Sequence, residues 1–440
     1  MLTGQASYNV KDVGLVTERV AEMTVRWGKL VAFVAAFQML AGMASAGDTS
    51  APWPQWRGPH RDGQFSGPAW PDTLQGERLK AIWRNKLGPS YSGPIVAADR
   101  VFVTETRGNN REVVQALNRE TGAKLWEVEW RGSLSVPFFA KANGDWIRST
   151  PTFDGEYLYV GGIRDVLVCL SGADGKERWR VDFVERFKSP LPAFGMVCSP
   201  VVTTDAVYVQ AGASLVKLNK QTGATVWQSL NDGGGMNGSA FSSPIIATLQ
   251  GEPQLVVQTR TKLTGVDLTS GNVLWSQDVP AFRGMNILTP TVLENSLFTS
   301  TYGGKTFRYA INKVADKYQV AVTWEKNSQG YMSSPIVIKD SVYVHLKNQR
   351  FACYDLKTGA ERWRTEPFGR YWSMIANGNQ ILALDERGDL LLIKATPEKY
   401  IQLDSRKISE QETWAHLAVA GDQIFIRELG AISAFQWRRD

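Results

Sequence analysis

The sequence predicts an all-β protein, an eight-bladed β-propeller built from four-stranded antiparallel blades. Two short phrases recur along the 440 residues, one ending in Trp and the other centred on a Ser/Thr-Pro pair. Successive copies of the second phrase are 39 to 57 residues apart, and periods of about 40–50 residues with several strands each are typical of propellers. The contents of 16 Trp and 40 Gly also favour many turns and a regular aromatic packing position.

The first phrase predicts a tight turn followed by an outer strand. Its copies are LNRETGAKLW (117–126), LSGADGKERW (170–179), LNKQTGATVW (218–227), VDLTSGNVLW (266–275) and YDLKTGAERW (354–363). The Gly supplies the positive φ that such a turn requires, and the closing indole is large and flat enough to fill the seam to the next blade. The residues predicted for these seams are Trp126, Trp179, Trp227, Trp275, Trp324 and Trp363.

The second phrase predicts the first two strands of each unit. It reads SGPIVAADRVFV (92–103), STPTFDGEYLYV (149–160) and CSPVVTTDAVYV (198–209) in its first copies. Two late copies, at 372–384 and 414–426, keep the register without Pro. The Pro-equivalent positions, which count the blades, are 94, 151, 200, 244, 290, 335, 374 and 417.

The two ends of the repeat region predict how the ring closes. The eighth unit has strands near 415–427 and 431–437 but no fourth strand, whereas KAIWRNKLG (80–88) is an unmatched outer strand ahead of the first unit. Pairing the two closes the ring and leaves no free sheet edge. The predicted organisation is therefore an N-terminal extension over 47–78 and a propeller over 79–440.

Residues 1–46 are predicted to be a signal peptide region. Arg26 and Lys29 precede the apolar run 30–43, and Ala44-Ser45-Ala46 follows as a small-x-small cleavage pattern. The run is too short to span a bilayer comfortably, and Met23 offers an alternative start. We expect export, cleavage near Ala46, a periplasmic or secreted location and no transmembrane span in the mature chain. Since no Cys follows the run, a lipid anchor is not expected.

Composition and motifs argue against several functions. The net charge of +6 is scattered without a basic run, so no nucleic-acid partner is expected. Cys169, Cys198 and Cys353 are predicted to be buried free thiols, with a Cys169–Cys198 disulfide as the alternative. The stretch GGGMNG (233–238) precedes a strand rather than a helix and is interpreted as an inter-blade loop.

No catalytic residue and no metal site are predicted. The three His are far apart in sequence and form no ligand pair, and no GxSxG motif is present.

The D/N-x-x-T-G-x-x-x-W phrase resembles the repeat of the PQQ-like (pyrroloquinoline quinone) propeller family, over about residues 80–440. The segment PWPQWRGPHRDGQFSG (52–67) is similar to the opening of exported proteins of that kind. The family includes quinoprotein dehydrogenases and the outer-membrane assembly lipoprotein BamB. For the dehydrogenases, the resemblance implies PQQ over Ca²⁺, a disulfide between neighbouring Cys and an Asp base.

This chain has no neighbouring Cys pair, no CxxCH haem motif and no calcium-ligand set that can be carried over. The BamB-like members imply no cofactor. The leading hypothesis is thus an exported, non-catalytic binding or assembly scaffold of the cell envelope without a cofactor. A PQQ-dependent dehydrogenase with Ca²⁺ and a divergent site is the alternative. A ligand-binding accessory for small molecules or polysaccharides is the third.

Candidate binding residues come from the links between each outer strand and the next first strand, together with the turns between second and third strands. In a closed ring these links converge on one central funnel, where a ligand or peptide is expected. The alternative is that they merely plug the channel. Aromatic and cationic lining suits an anionic or aromatic ligand or an acidic peptide, and we expect a monomer that binds an envelope protein or a small ligand there. The funnel candidates are Tyr91, Trp146, Arg148, Arg164, Phe241, Asn286, Lys305, Tyr331, Lys347, Trp372, Trp414 and His416.

Overall fold

Eight four-stranded antiparallel sheets form the protein, which confirms the predicted eight-bladed propeller. A computed structural model describes residues 52–234 and 241–438. The predicted signal peptide therefore lies outside the described residues, as does most of the GGGMNG stretch. Within the described part, no helix is long and apolar enough to cross a membrane.

Blades 1 to 7 follow one another along the chain, each with its four strands paired in sequence order, whereas blade 8 takes its fourth strand from the start of the propeller sequence. The strands of blades 1 to 4 are β2 Ile95–Val96, β3 Arg100–Arg107, β4 Arg111–Asn118 and β5 Lys124–Arg131; β6 Thr152–Phe153, β7 Tyr157–Gly162, β8 Val166–Ser171 and β9 Glu177–Asp182; β10 Val201–Val202, β11 Ala206–Ala211, β12 Ser214–Asn219 and β13 Thr225–Ser229; β14 Ile245–Leu249, β15 Glu252–Gln258, β16 Lys262–Asp267 and β17 Val273–Asp278.

The remaining strands repeat the pattern. Those of blades 5 to 8 are β18 Thr291–Leu293, β19 Ser296–Ser300, β20 Thr306–Val314 and β21 Lys317–Lys326; β22 Ile336–Ile338, β23 Ser341–His345, β24 Phe351–Asp355 and β25 Glu361–Arg364; β26 Ser373–Asn377, β27 Gln380–Leu384, β28 Asp389–Lys394 and β29 Ile401–Lys407; β30 Ala418–Ala420, β31 Gln423–Glu428, β32 Ala431–Trp437 and β1 Leu79–Lys86. The described helices are short: an α-helix at Phe183–Phe187 and 3₁₀ turns at Gly76–Arg78, Phe138–Asn143 and Phe282–Gly284.

Burial explains why these segments read as strands. The second strand of a blade, such as β11, is buried on both faces because it packs between two neighbouring blades. The outer strand alternates, as in β5, because only one of its faces is covered. Near-continuous apolar runs and alternating runs are the two strand patterns that such burial selects.

Alternating strand direction gives the ring two distinct faces. The links that lead into each first strand, and the turns between second and third strands, emerge on one side, which we call the crossing face. The turns between first and second strands, and the Thr-Gly turns before the outer strands, emerge on the other side, the turn face.

The ring closes as predicted, because β1 pairs antiparallel with β32 from Leu79↔Trp437 to Lys86↔Ala431. Blade 8 therefore takes its outer strand from the beginning of the propeller sequence. Arg84 Nε and Nη2 donate to the two carboxylate oxygens of Glu428 over 3.0 and 2.9 Å, which joins β1 to the next strand but one. The pairing covers the edge of β32 that would otherwise be unpaired and completes the eighth blade to four strands.

The tryptophan that recurs in the repeat lies in the seams between blades. Five of these indoles pack against the Gly of the next turn, and most of the indoles donate Nε1–H to a carbonyl of that turn region. The Trp/Gly pairs in contact are Trp83/Gly122, Trp126/Gly175, Trp179/Gly223, Trp227/Gly271 and Trp324/Gly359. The Nε1 donations run from Trp83 to Arg119 O, Trp126 to Gly172 O, Trp179 to Lys220 O, Trp324 to Leu356 O and Trp363 to Thr396 O.

Three seams depart from this pattern. The turn that faces Trp363, residues 396–400, contains no Gly, although Trp363 still donates to Thr396 O. At Trp227 the corresponding carbonyl, Leu268 O, accepts instead from Tyr208 Oη at 3.2 Å and Lys217 Nζ at 3.0 Å. Trp275 donates to Gln254 Oε1 of its own blade over 2.6 Å. The reason is that blade 5 replaces the Thr-Gly turn with the long β20–β21 hairpin, so no turn Gly faces Trp275.

Residues 52–66 bind across the channel from the turn face. Trp53 forms an antiparallel bridge with Val96, and Phe65 N donates to Ala376 O over 2.7 Å. Between them, Arg57 Nη2 donates to Pro335 O over 2.5 Å. Arg61 donates to Pro200 O and Ser199 O at 2.9 and 3.0 Å. The segment thus ties together first strands on different sides of the ring and closes the channel at that end.

The three cysteines are buried free thiols, as the sequence predicts. Burial raises the pKa of Cys169 and of Cys198 to about 12, so both remain protonated at neutral pH.

Candidate binding face and central cavity

A cavity of about 200 Å³ lies on the crossing face at the centre of the ring, lined by seven of the eight blades. Six residues that the sequence predicts for the funnel line it: Tyr91, Arg148, Phe241, Tyr331, Trp414 and His416. Its floor is Trp56 from the segment 52–66, which the sequence-based prediction missed. The other lining residues missed include Thr150, Phe194, Ser199, Ser243, Thr289 and Ser334.

Hydroxyl groups surround the axis, one from each of several blades, at the position before the repeat Pro. Ser243 Oγ accepts the backbone N–H of Ser199 at 2.9 Å, and Thr289 Oγ1 accepts that of Ser243 at 3.0 Å. Thr150 Oγ1 accepts the N–H of Gly93 at 3.0 Å. Since a hydroxyl that accepts one bond keeps its own proton to donate, the ring offers donors to whatever occupies the cavity. The Ser/Thr-Pro phrase of the sequence contains these hydroxyls, but from the sequence it predicted only the places of the first strands and the number of blades.

Arg148 is the cationic side chain in the cavity lining. Its Nε and Nη2 donate to the carbonyls of Trp146 and Gly144, at 3.1 and 2.8 Å, which fixes the guanidinium in its own loop. Burial lowers its pKa to about 10, so it is charged at neutral pH. Within the described part of the chain, no carboxylate oxygen comes within 4 Å of this guanidinium as an ion pair, and Nη1 makes no hydrogen bond.

His416 is neutral in this site. Its Nδ1 lies 3.1 Å from Ser373 Oγ, and its ring meets the edge of Trp56 at a centroid distance of 5.2 Å. Burial, together with the charge of Arg57, lowers the pKa of His416 to about 3. Among the described residues that line the cavity, Arg148 is therefore the one charged side chain at neutral pH. The guanidinium groups of Arg57 and Arg61 lie outside the lining, 5.5 and 5.6 Å from the Trp56 ring centroid.

A continuous row of six aromatic rings, the aromatic arc, follows the cavity mouth over half of the ring. Each ring contacts the next at a centroid distance between 4.6 and 5.3 Å. Lys347 and Arg370 lie over members of the arc, 4.4 and 5.1 Å from the ring centroids. In order, the arc is Tyr302, Tyr331, Tyr371, Trp414, Tyr91 and Trp146.

The other side of the mouth carries an exposed phenylalanine patch, formed by Phe138, Phe139, Phe194, Phe241 and Phe282. Three of its rings stand in solvent, with exposed fractions of 84% for Phe138, 56% for Phe139 and 52% for Phe282. Phe194 joins them to the cavity wall, since its ring contacts both Phe139 and Phe241. Arg283 lies between Phe139 and Phe282, 5.7 and 5.1 Å from their centroids.

The remaining predicted funnel residues lie elsewhere. Trp146 belongs to the arc but does not line the cavity. Asn286 is buried, and the two N–H groups of its Nδ2 are shared among three backbone carbonyls at 2.9 to 3.1 Å, those of Thr259, Arg260 and Val279, so it holds its own loop together. Trp372 is buried in the seam beside blade 7, stacked on His345 at 4.3 Å and donating to Asp385 Oδ2 at 3.1 Å.

Three predicted cations are on the rim of the crossing face. Arg164 donates to Ser133 O over 3.0 Å, and Lys305 pairs with Glu325. Lys347 lies over Tyr302. None of the three side chains reaches the cavity.

The donor set does not fit a calcium-bound quinone. No Asp or Glu is among the described residues that line the cavity, whereas Ca²⁺ requires several carboxylate or carbonyl oxygens. One guanidinium is also insufficient for the three carboxylates of PQQ. Across residues 52–234 and 241–438, no group of three or more His, Cys, Asp or Glu is arranged to hold a metal ion.

Fold and site together define a propeller with a closed channel floor and an aromatic, cationic binding face. The model of the family described as outer membrane protein assembly factor BamB matches residues 110–365, and the chain belongs to that family. The BamB protein of Yersinia pestis is 20% identical over 297 residues, covering 64% of this chain and 69% of the relative.

Two solved structures share the fold. BamB from Moraxella catarrhalis superposes with a TM-score of 0.59 at 15% identity, over 82% of this chain and 98% of that one. Quinohemoprotein alcohol dehydrogenase ADHIIG from Pseudomonas putida HK5 gives a TM-score of 0.52 at 10% identity, over 88% and 80%. At these identities the likeness concerns the fold alone.

Proposed function

We propose that the protein is an exported, non-catalytic scaffold that binds another protein of the cell envelope through the crossing face, in the assembly of outer-membrane proteins. Family membership supports the assembly role, since the relatives are named as outer membrane protein assembly factors. The phenylalanine patch is the observation that carries the choice of surface.

Large exposed apolar groups that lie together mark interaction surfaces in soluble proteins. Phe138, Phe139 and Phe282 are the most exposed aromatic side chains among the large hydrophobic residues described. Arg283 is packed against two of them, and Phe and Arg are residue types enriched in protein–protein interfaces. Two residues of the patch, Phe194 and Phe241, are already held by the cavity wall, so the patch loses little side-chain freedom on binding.

The experiment is capture of envelope proteins by the purified full chain, with and without the patch. The variant Phe138→Ser/Phe139→Ser/Phe282→Ser should fold, because the three side chains are largely in solvent. We expect the wild type to capture a component of the outer-membrane protein assembly machinery, identified by mass spectrometry. The triple variant should capture about ten-fold less of that component, or even less.

The matched control is Val226→Ser/Val273→Ser. Val226 and Val273 have exposed fractions of 53% and 49%, but they follow Thr-Gly turns near the turn face. This control should capture the partner as the wild type does. Equal capture by all three proteins, or capture lost only in the control, would exclude the phenylalanine patch as the binding surface.

A further inference from the structure

The central cavity has the properties of a small-molecule site, and it shares only Phe194 and Phe241 with the phenylalanine patch, since Phe138, Phe139 and Phe282 do not line it. It is lined by residues of seven blades and by Trp56 at its floor. A cavity of about 150 Å³ with apolar walls accommodates benzene, so about 200 Å³ accommodates one six-membered ring with a small substituent.

The walls and the polar groups of the cavity specify different parts of such a ligand. Phe194, Phe241 and Trp414 supply aromatic walls, which suit a flat apolar ring. Arg148 supplies one positive charge with a free Nη1, and the hydroxyls of Thr150, Ser243 and Thr289 supply neutral donors. All these polar groups donate, so they select an acceptor.

The charge balance selects a monoanion. The acidic side chains nearest the mouth are already engaged: Glu412 accepts from Tyr91 Oη at 3.1 Å, and Glu386 pairs with Arg370 at 3.1 Å. Asp145 accepts the N–H of Val136 at 2.7 Å. His416 is neutral, so a dianion such as phosphate would contact one cation of the cavity lining, Arg148. A carboxylate is matched in charge, and its two oxygens can bind Nη1 and a hydroxyl together.

We infer that the central cavity binds a small aromatic carboxylate, with the ring against Phe194, Phe241 and Trp414 and the carboxylate on Arg148 and the axial hydroxyls. The inference does not depend on the scaffold function, because Arg148 lies outside the phenylalanine patch and the three exposed rings that test that function, Phe138, Phe139 and Phe282, do not line the cavity.

Calorimetry of the full chain with benzoate as the probe, and with benzamide as its neutral analogue, tests the inference. We expect saturable binding of one benzoate per chain, about ten-fold or more tighter than benzamide, since hydrogen bonds to a charged group are the stronger ones. Quenching of tryptophan fluorescence should follow the same isotherm, because Trp56 and Trp414 line the cavity. Inorganic phosphate should compete weakly.

Two variants and a control locate the site. Arg148→Gln should lower the affinity for benzoate by about ten-fold and leave the affinity for benzamide nearly unchanged. Ser334→Ala removes a lining hydroxyl that makes no side-chain hydrogen bond in this structure, so it should fold normally and weaken benzoate by about three-fold. Arg164→Gln, which removes a rim cation on the same face, should change neither constant.

The inference is overturned by no saturation with benzoate at millimolar concentration, by equal affinity for benzoate and benzamide, or by unchanged benzoate affinity in both Arg148→Gln and Ser334→Ala. Tighter binding of inorganic phosphate than of benzoate would also overturn it. None of these results would affect partner capture through the patch.

Discussion

Trp126 of blade 1 lies directly against Gly175 of blade 2, and its Nε1 donates to the carbonyl of Gly172 over 3.1 Å. Gly175 has φ of +74°, and a methyl group there would be 2.7 Å from the indole Cε3. The same residue thus permits the turn and makes room for the neighbouring blade.

Gly175→Ala should therefore destabilise the protein twice over. The left-handed conformation costs about 1 kcal/mol for a residue with a Cβ, and overpacking against the indole costs about 1–3 kcal/mol more. Gly251→Ala is the matched control, with φ of +79° and nothing within 4 Å of the new methyl. Denaturant unfolding gives the loss of unfolding free energy in each variant. The difference between the two losses is the contribution of the contact between Trp126 and the turn. Equal losses would mean that Trp126 does not constrain the turn.

His345 predicts a loss of stability in acid. Its Nε2 lies 3.0 Å from Phe368 O, and burial lowers its pKa to about 4, against that hydrogen bond. The unfolded chain therefore binds a proton that the folded chain does not, between pH 6.5 and 4. Stability falls as the pH falls through this window, by about 1–2 kcal/mol between pH 7 and 5.

The control must isolate this group, because Asp165 acts in the opposite direction. Burial raises the pKa of Asp165 to about 6, so its share of stability increases in acid. His345→Gln keeps a donor for Phe368 O but does not titrate. Its unfolding free energy should depend less on pH than that of the wild type, over pH 5 to 7. Parallel pH profiles would show that His345 is protonated equally in both states.

Arg57 predicts a large effect from a residue outside the blades. It is 2% exposed, and it donates to Asp62 O and Pro335 O at 2.8 and 2.5 Å. Arg57→Ala leaves a buried carbonyl unpaired and a cavity in the channel, which together should cost about 2–4 kcal/mol.

Arg111→Ala is the comparison for Arg57→Ala, since Arg111 forms an exposed ion pair with Glu129 worth at most about 1 kcal/mol. Trypsin should also cleave the Arg57→Ala variant within residues 52–66 at a trypsin concentration that leaves the wild type intact. A stability equal to that of Arg111→Ala would contradict a structural role for the segment.

Glu428 and Arg84 form an ion pair at the ring closure, and we expect the loss of Glu428 to destabilise the protein more than the loss of Arg84. Glu428 is 3% exposed and also accepts from Ser409 and Ser433, at 2.8 and 2.9 Å. Arg84 is 48% exposed. Glu428→Ala should therefore cost about 2–3 kcal/mol, because it orphans several donors, and Arg84→Ala about 1 kcal/mol or less. Thermal unfolding of the two single variants compares them directly, and a larger loss for Arg84→Ala would refute this assignment.

The blades and the closure were predictable because their signal is local and repeated. A turn Gly, an outer Trp and a Ser/Thr-Pro start occur within one unit, so each copy supports the others. The cavity residues Tyr91, Arg148 and Trp414 were found for the same reason: propeller topology alone brings the links between blades to the axis.

The parts that the sequence did not predict depend on contacts between distant segments. Trp56 is in the cavity because Arg57 and Arg61 bind carbonyls 278 and 139 residues away, and no periodicity encodes such pairing. Trp372 is in a crossing link like Trp414, yet it turns into the seam because His345 and Asp385 provide a stack and an acceptor there. Position along the chain fixed the neighbourhood of these side chains but not their direction.

The pairing of β1 with β32 also sets an order of events during synthesis. Blades 1 to 7 each form from a continuous stretch of chain, so they can fold one after another as the polypeptide lengthens. Blade 8 joins strands roughly 350 residues apart. Such a long-range contact forms late, because the chain loses loop-closure entropy before the contact contributes any stability. A chain that stops short of Ala431 exposes the edges of β1 and of the last finished blade, which makes it prone to aggregate. The ring is thereby a check on length, since its stability is gained only when the last strand is present.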